Sequence, residues 1–432
     1  MKYCARCLYP LNARPTINID EEDGICSGCK YHESRETLEV DWGKREVIFR
    51  EMMEETKRLA KEKGNLYDCI IPISGGKDSH YQVWLLKEKY GMNPLLVTYN
   101  HIFNAASGIR NLINLVEKSG CDLIRFTANP YSVKKISRFM LETVGDLTWH
   151  YHAGIMTLPF RVAVEKNIPL VVWGEHGFGE LTGMVTLDEF VEFTKWRRKE
   201  HDMRGYEPED VVKKSNGRIT MEDLYPYIYP TDEEIERVDV RGIYVTNYFF
   251  WNASKHGELM MEKWDFAPVT FKRDRTFNLF SKIEDHANDV HDYLKYLKFG
   301  YGRATDDASM EIRHGRMTRE EGVQMVKEYD SNEPSSLQTY LDFLEMSKED
   351  FYDLVEHLRD PSIWEKINGE WKTKDSVINH SSGELIENAR VNLSDNRTFS
   401  EKNRNLYYNE KYPPLKRGDD RLDVNKTDFI IM

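Results

Sequence analysis

The chain has 432 residues, 40% of them hydrophobic and 31% charged, with a formal net charge of −13. This apolar content excludes a wholly disordered chain, and the length accommodates two or three domains with a substantial core. The acidic balance argues against broad, sequence-independent nucleic-acid binding, which needs clustered Lys and Arg, although it leaves room for a local basic groove.

No apolar run approaches the roughly 18 to 20 residues that span a bilayer. The opening MKYCARCLYP has no apolar signal core, so a cytoplasmic protein is expected. The sequon Asn392–Leu393–Ser394 would then have no compartment in which to be glycosylated.

Taken in chain order, the first feature is C-A-R-C followed, 18 residues later, by C-S-G-C. Two CxxC knuckles at that spacing predict a tetrahedral zinc site on Cys4, Cys7, Cys26 and Cys29. Four sulfur ligands leave no open position, which fits a structural zinc ribbon over residues 1–42. Cys69 and Cys121 stand alone, one inside the first strand and one just before the third, and read as core thiols.

Residues 44–63 carry apolar positions at helical spacing, closed by Gly64 and Asn65. A buried-strand pattern over Tyr67–Ile73 then runs straight into S-G-G-K-D-S, and a helix is expected over His80–Tyr90. The alternation continues with a strand at Pro94–Tyr99, a helix at Ala106–Ser119 and a strand at Asp122–Phe126. Helices at Val133–Val144 and Thr157–Lys166 precede a strand at Leu170–Trp173 that ends in G-E-H-G. Such alternation predicts an α/β fold, a doubly wound parallel sheet with helices on both faces. Ligands of such sheets bind beyond the carboxyl ends of the strands, where Ser74–Ser79, Tyr99–Phe103 and Gly174–Gly179 would converge. Past residue 185 the regularity fades. Residues 335–366 read as helical and the stretch from about 376 as polar and loop-like. The core with its insertions is placed at 43–330, and a mostly helical extension at 331–432.

Ser74–Gly75–Gly76–Lys77–Asp78–Ser79 follows a strand and opens a helix, so backbone N–H groups and the positive helix end converge on an anion. Paired glycines admit phosphate oxygens close to the main chain, Lys77 supplies charge, and Ser74 and Ser79 supply hydroxyls. Asp78 suits magnesium or loop organisation better than phosphate. The loop is not a Walker A motif, which would place Gly at 71 and Ser or Thr at 78, where this chain has Ile71 and Asp78.

S-G-G-K-D-S after a first strand resembles the signature of the PP-loop ATP pyrophosphatases, which cleave ATP between the α- and β-phosphates. The wider pattern is similar to the N-acetyl sugar amidotransferases of bacterial surface-glycan and flagellin-sugar biosynthesis. It comprises the four-cysteine unit, P-I-S-G-G-K-D-S, V-T-Y-N-H at 97–101, W-G-E-H-G at 173–177, Y-F-x-W-N at 248–252 and the block Lys298–Glu321. That resemblance covers most of residues 1–360. It implies ATP, Mg2+ and structural Zn2+ as cofactors, and conversion of an acetamido group to an acetamidino group on a sugar, whether free, nucleotide-linked or a nonulosonic acid. It also implies ammonia from a separate glutaminase, with a cyclase-like subunit as a further partner.

On this reading Lys77, Asp78, Glu175 and Arg303 are the expected catalytic residues. Ser74–Ser79, Tyr99, Asn100, Gly174 and Arg313 are expected at the nucleotide, with Arg316 as a further cation. Trp251, Asn252, Asp306 and Asp307 are expected at the sugar or magnesium, with Lys255 beside them. Each has a plainer alternative: a capping sequence for Asp306 and Asp307, an aromatic core for Trp251, a structural role for His176. A tRNA-thiolating PP-loop enzyme and a non-catalytic docking subunit are the competing functions. The first would need reactive cysteines by the nucleotide, and the second would have little use for Lys77 and Asp78 together.

Overall fold

The computed structural model describes residues 2–11, 17–37, 40–269 and 271–380, so the expectation of a polar tail falls almost wholly outside the described residues. Five strands form one parallel sheet: β1 Cys69–Pro72, β2 Pro94–Tyr99, β3 Leu123–Phe126, β4 Leu170–Trp173 and β5 Arg241–Tyr244. Their spatial order is β3-β2-β1-β4-β5. β1, β2 and β4 are buried along their whole length, which is why they read as continuous apolar runs and not as alternating ones.

Successive residues of β1 point to opposite faces. Cys69 and Ile71 pack with Phe49, Met53, Val83 and Leu112 from the helices Trp42–Glu62, Lys77–Trp84 and Ala106–Ser119. Ile70 packs with Val133, Ile136, Phe160 and Ala163 from the helices Pro130–Val144 and Trp149–Lys166. The sheet is therefore doubly wound, as the sequence predicts. Its winding reverses between β1 and β4, which pair at Ile70 and Val171, and this opens a crevice beyond their carboxyl ends.

β5 is a correction. Four residues, R-G-I-Y, are too short to show periodicity, and residues 174–240, with their short helical turns, separate them from β4. The helix expected from Thr157 begins at Trp149 and carries Pro159 within it. In the extension, helices Leu337–Leu344 and Lys348–Glu356 give way to an antiparallel hairpin, β6 Trp364–Ile367 and β7 Glu370–Thr373. Its turn is Asn368–Gly369 with φ of 52° and 86°, a dipeptide suited to a left-handed two-residue turn.

The N-terminal unit has its own small core of Tyr9, Ile17, Ile19, Ile25 and the four cysteines, closed by Tyr301. No helix among the described residues is long and apolar enough to cross a membrane.

Candidate functional site

The loop after β1 is organised by its own serines. Ser74 N–H donates to Ser79 Oγ at 3.0 Å, and Gly76 N–H donates to Ser74 Oγ at 3.2 Å. Gly75 has φ of 84°, and a β-carbon there would lie 3.1 Å from the Leu112 backbone, so the position requires glycine. Gly76 then opens the helix Lys77–Trp84 without a side-chain cap, leaving the first N–H groups turned to the crevice. Lys77 is 5% exposed, and its ammonium meets Asp78 Oδ2 at 2.5 Å. Burial disfavours that ammonium, but Asp78, Glu175 and Glu284 outweigh burial and hold Lys77 charged. Asp78 Oδ1 is buried with no hydrogen-bond donor.

Glu175, directly after β4, is solvent-reaching within the crevice, between walls that carry Asp78 and Lys77. Those walls, and then the Asp78 charge, push its carboxyl up to about 7. Its neighbour His176 is 4% exposed and packs edge-on to Tyr244, with burial lowering it to about 4 and keeping it neutral. Gly174 is wedged between Gln82 and Trp251.

The third wall was not legible in sequence. Segment 282–285 crosses the start of the helix Ala106–Ser119: Ala105 N–H donates to Glu284 O, and Ser107 Oγ donates to Ile283 O. This lays Glu284 beside Gly76, with Glu284 Oε2 buried and without a donor. Lys282 is exposed in the cleft with φ of 53°, and its ammonium has no ion-pair partner among the described residues. The cleft walls, and then Arg303, lower its pKa, against Asp292, Glu284 and Asp306. No periodicity marks S-K-I-E-D; the only sequence signal was its position shortly before the block at 298.

Beyond β2, a small recess of about 20 Å³ is lined by Ser74, Thr98, Asn100, Leu112, Arg125 and Glu284. Asn100 shapes its rim, accepting from Ile102 N–H at 3.1 Å and Asn104 Nδ2 at 2.7 Å. Ile102 has φ of 83°, a strained conformation for a β-branched residue. The Tyr99 side chain turns into the core, bonded to Tyr227 and His150, so only its backbone lies at this edge.

Several expected site residues are placed elsewhere. Arg313 is 3% exposed and bonded to the cysteine sulfurs and the Glu180 carbonyl, so it cannot also hold a nucleotide in the crevice. Arg303 grips Asp292 through two 2.7 Å bonds, whereas Lys282 has no ion-pair partner among the described residues. Asp306 is 1% exposed and accepts from Tyr9 Oη at 2.6 Å and from Lys295; it ties the N-terminal unit to the helix Arg303–Arg313, whose cap is Gly302. Asp307 accepts from Thr276 Oγ1 at 2.5 Å. Trp251 is 2% exposed, edge-on to Tyr81 and His256, and offers no open face to a sugar ring. Asn252 caps the helix Ala253–Trp264 and accepts from Arg316, which itself grips Glu311.

Cys4, Cys7, Cys26 and Cys29 are fully buried, their sulfurs all within 4.8 Å of one another. The Cys7–Cys26 and Cys4–Cys29 separations are 3.6 and 4.0 Å. Bonds of about 2.3 Å to one tetrahedral ion would put sulfurs about 3.8 Å apart, so the four residues fit a single metal ion. Backbone N–H groups of Cys7, Cys26 and Cys29 already point at sulfurs, at 3.2 to 3.4 Å.

A parallel sheet of order 3-2-1-4-5 with S-G-G-K-D-S at its switch point defines a PP-loop ATP pyrophosphatase-like fold. Residues 268–377, which supply Lys282 and Glu284, match the family described as LPS biosynthesis protein WbpG-like, C-terminal domain. The chain is similar to an uncharacterized protein of Methanocaldococcus jannaschii, 33% identical over 125 residues; the match spans 28% of this chain and 41% of that relative. Among solved structures it is similar to the NH3-dependent NAD synthetase of Campylobacter jejuni (14% identity, 46% of this chain and 92% of that one, TM-score 0.25). It is also similar to the NMN synthetase of Francisella tularensis (10%, 52% and 96%, TM-score 0.26). A third is the U34-tRNA thiolase NcsA of Methanococcus maripaludis (14%, 49% and 73%, TM-score 0.20).

Proposed function

We propose that the chain is an ATP-dependent amidotransferase that converts an acetamido group of a bacterial surface-glycan or flagellin sugar to an acetamidino group, releasing AMP and pyrophosphate. The observation that carries the reading is a single crevice. In it the phosphate loop and Lys77 face Glu175 and the Lys282–Glu284 segment of the WbpG-like region.

An amide carbonyl is a poor electrophile and its oxygen a poor leaving group. In the proposed reaction the amide oxygen attacks the α-phosphorus of ATP, the bond to the β-phosphate breaks, and an O-adenylyl imidate forms. Ammonia adds to the imidate carbon and AMP departs carrying the former amide oxygen. Ser74–Ser79 would cradle the leaving pyrophosphate with backbone N–H groups, and Lys77 would neutralise it. Lys282 would meet the α-phosphate or a phosphate of the acceptor. Asp78 and Glu284, each with one buried oxygen that receives no donor, would be the carboxylates to hold Mg2+, which when bound would neutralise phosphate charge. Glu175, poised near neutrality, would accept a proton from ammonium or from the adduct. Zinc on the four cysteines would be structural.

Ammonia is proposed to come from a separate glutaminase subunit, with a cyclase-like subunit as a further partner, in the cytoplasm. Against the thiolase reading, Cys69 and Cys121 are buried in the sheet core, and burial raises the Cys69 thiol. Neither lines the crevice.

Phosphorus NMR with ATP, Mg2+, ammonium and a panel of N-acetylated sugars and nucleotide sugars, one set labelled with 18O in the acetamido group, tests the reading. AMP carrying the label, formed only with an acetamido sugar, is expected. ADP and phosphate, or unlabelled AMP, would overturn it.

A further inference from the structure

Arg313 lies at a junction that neither the nucleotide site nor the cysteine knuckles account for by themselves. Its guanidinium donates from Nε to Cys29 Sγ at 3.4 Å and from Nη2 to Cys26 Sγ at 3.6 Å, with Cys7 Sγ at 4.0 Å. On the other side, Nη1 donates to Glu180 O at 2.7 Å and to Leu181 O at 3.3 Å. Those carbonyls end the segment that leaves β4 through Glu175. One planar fork therefore touches the sulfurs and the segment that carries Glu175 together.

The same segment is clasped a second time by the second knuckle and the helix it opens, Ser27–Thr37. Ser27 Oγ donates to Thr182 O at 2.6 Å, and Arg35 pairs with the buried Glu180 carboxylate while donating to Trp251 O at 2.7 Å. Four thiolates around a divalent ion carry a net charge of −2, which is costly to bury unless a cation stands beside it. Only a group with several fixed donors can serve thiolates and carbonyls in one plane, which arginine provides and lysine does not.

We propose that Arg313 is a positioning residue that couples the four-cysteine metal site to the Glu175 wall of the crevice. Removing the ion leaves its guanidinium without its anionic partner and loosens the carbonyl contacts that fix residues 174–182. Binding in the crevice, conversely, alters the hydrogen bonds received by the sulfurs, because coupling between two sites is reciprocal. The link rests on the crevice being a nucleotide site but not on the acceptor chemistry.

The test uses the full chain loaded with Co2+, whose sulfur-to-metal charge-transfer bands report donors on the thiolates. Mg2+-ATP binding, followed separately by calorimetry, should shift those bands in the wild type, and the shift should vanish in Arg313→Met and Arg313→Lys. Zinc competition against a chromophoric chelator should show the Arg313→Met site weakened by about 10- to 100-fold, the usual effect of losing a group that supports metal ligands. Unshifted bands with bound nucleotide in the wild type, or a full shift in a folded Arg313→Met, would overturn the coupling. Should Mg2+-ATP fail to bind at all, the nucleotide reading falls instead. The zinc competition alone then decides whether Arg313 supports the metal, and unchanged zinc affinity would overturn that too.

Discussion

Gly108 and Glu284 meet backbone to backbone: a β-carbon on Gly108 would lie 2.2 Å from the Glu284 carbonyl oxygen. This contact seats the WbpG-like segment against the start of the helix Ala106–Ser119 and brings Glu284 to the phosphate loop. Gly108→Ala should cost about 1–3 kcal/mol, as overpacking does in tight interiors, because the obstacle is main chain and cannot swing aside. Chemical denaturation measures the loss, and calorimetry should show weaker Mg2+-ATP binding in the still-folded variant. Equal stability and affinity would mean the seam yields freely.

Lys77 is nearly buried at the start of the phosphate loop and is held charged by three carboxylates. Lys77→Met keeps much of the side-chain volume and removes the charge. AMP formation should fall by about 10²- to 10³-fold, the scale of losing one electrostatic donor at a reacting centre, while far-ultraviolet circular dichroism stays unchanged. Turnover at the wild-type rate would remove Lys77 from the reacting centre.

The cleft walls around Glu175 and the Asp78 charge push its carboxyl up to about 7. If it accepts a proton during turnover, kcat/KM should rise with pH through an apparent pKa near 7 and level off above it. Glu175→Gln should lower the plateau and erase that limb, with the phosphate loop still able to bind nucleotide. A limb that persists in the variant would assign the titration to another group.

Asp285 is 4% exposed; one oxygen accepts from Ala287 N–H at 2.8 Å and the other has no donor. Burial raises its carboxyl to about 8, against a usual value of 3.8. The folded chain therefore keeps a proton that the unfolded chain releases between these values. Stability from this group is present at low pH and declines as pH rises from about 4 to 8, by at most about 1.4 kcal/mol per unit. Asp285→Asn removes the charge and should flatten that slope in denaturation curves between pH 5 and 8. It should also leave the variant the more stable chain above pH 8.

The opposite case is Arg303. In the sequence it reads as a free cation, because R-A-T-D-D sits in a Gly-rich block. The fold brings Asp292, from the preceding helix Ala287–Phe299, within 2.7 Å and closes its fork. Arg313 and Asp306 were misplaced for the same reason: their partners are Cys29 and Tyr9, more than 280 residues away along the chain.

What the sequence determined by itself is whatever its local signals encode. The two CxxC knuckles specify a tight turn with paired sulfurs, S-G-G-K-D-S specifies a phosphate loop between a strand and a helix, and apolar runs specify strands buried on both faces. Those signals need only neighbouring residues, so they survive in one dimension. Only the tertiary structure decided which charges remain open and which are spent on each other. A guanidinium or carboxylate carries the same signal in sequence whether its partner is a ligand, a thiolate or another side chain. The pairing depends on contacts across hundreds of residues that burial enforces and no local pattern announces. Lys282 lies open in the crevice and Arg303 beside it is closed by Asp292, although in sequence both are simply basic residues near the same block.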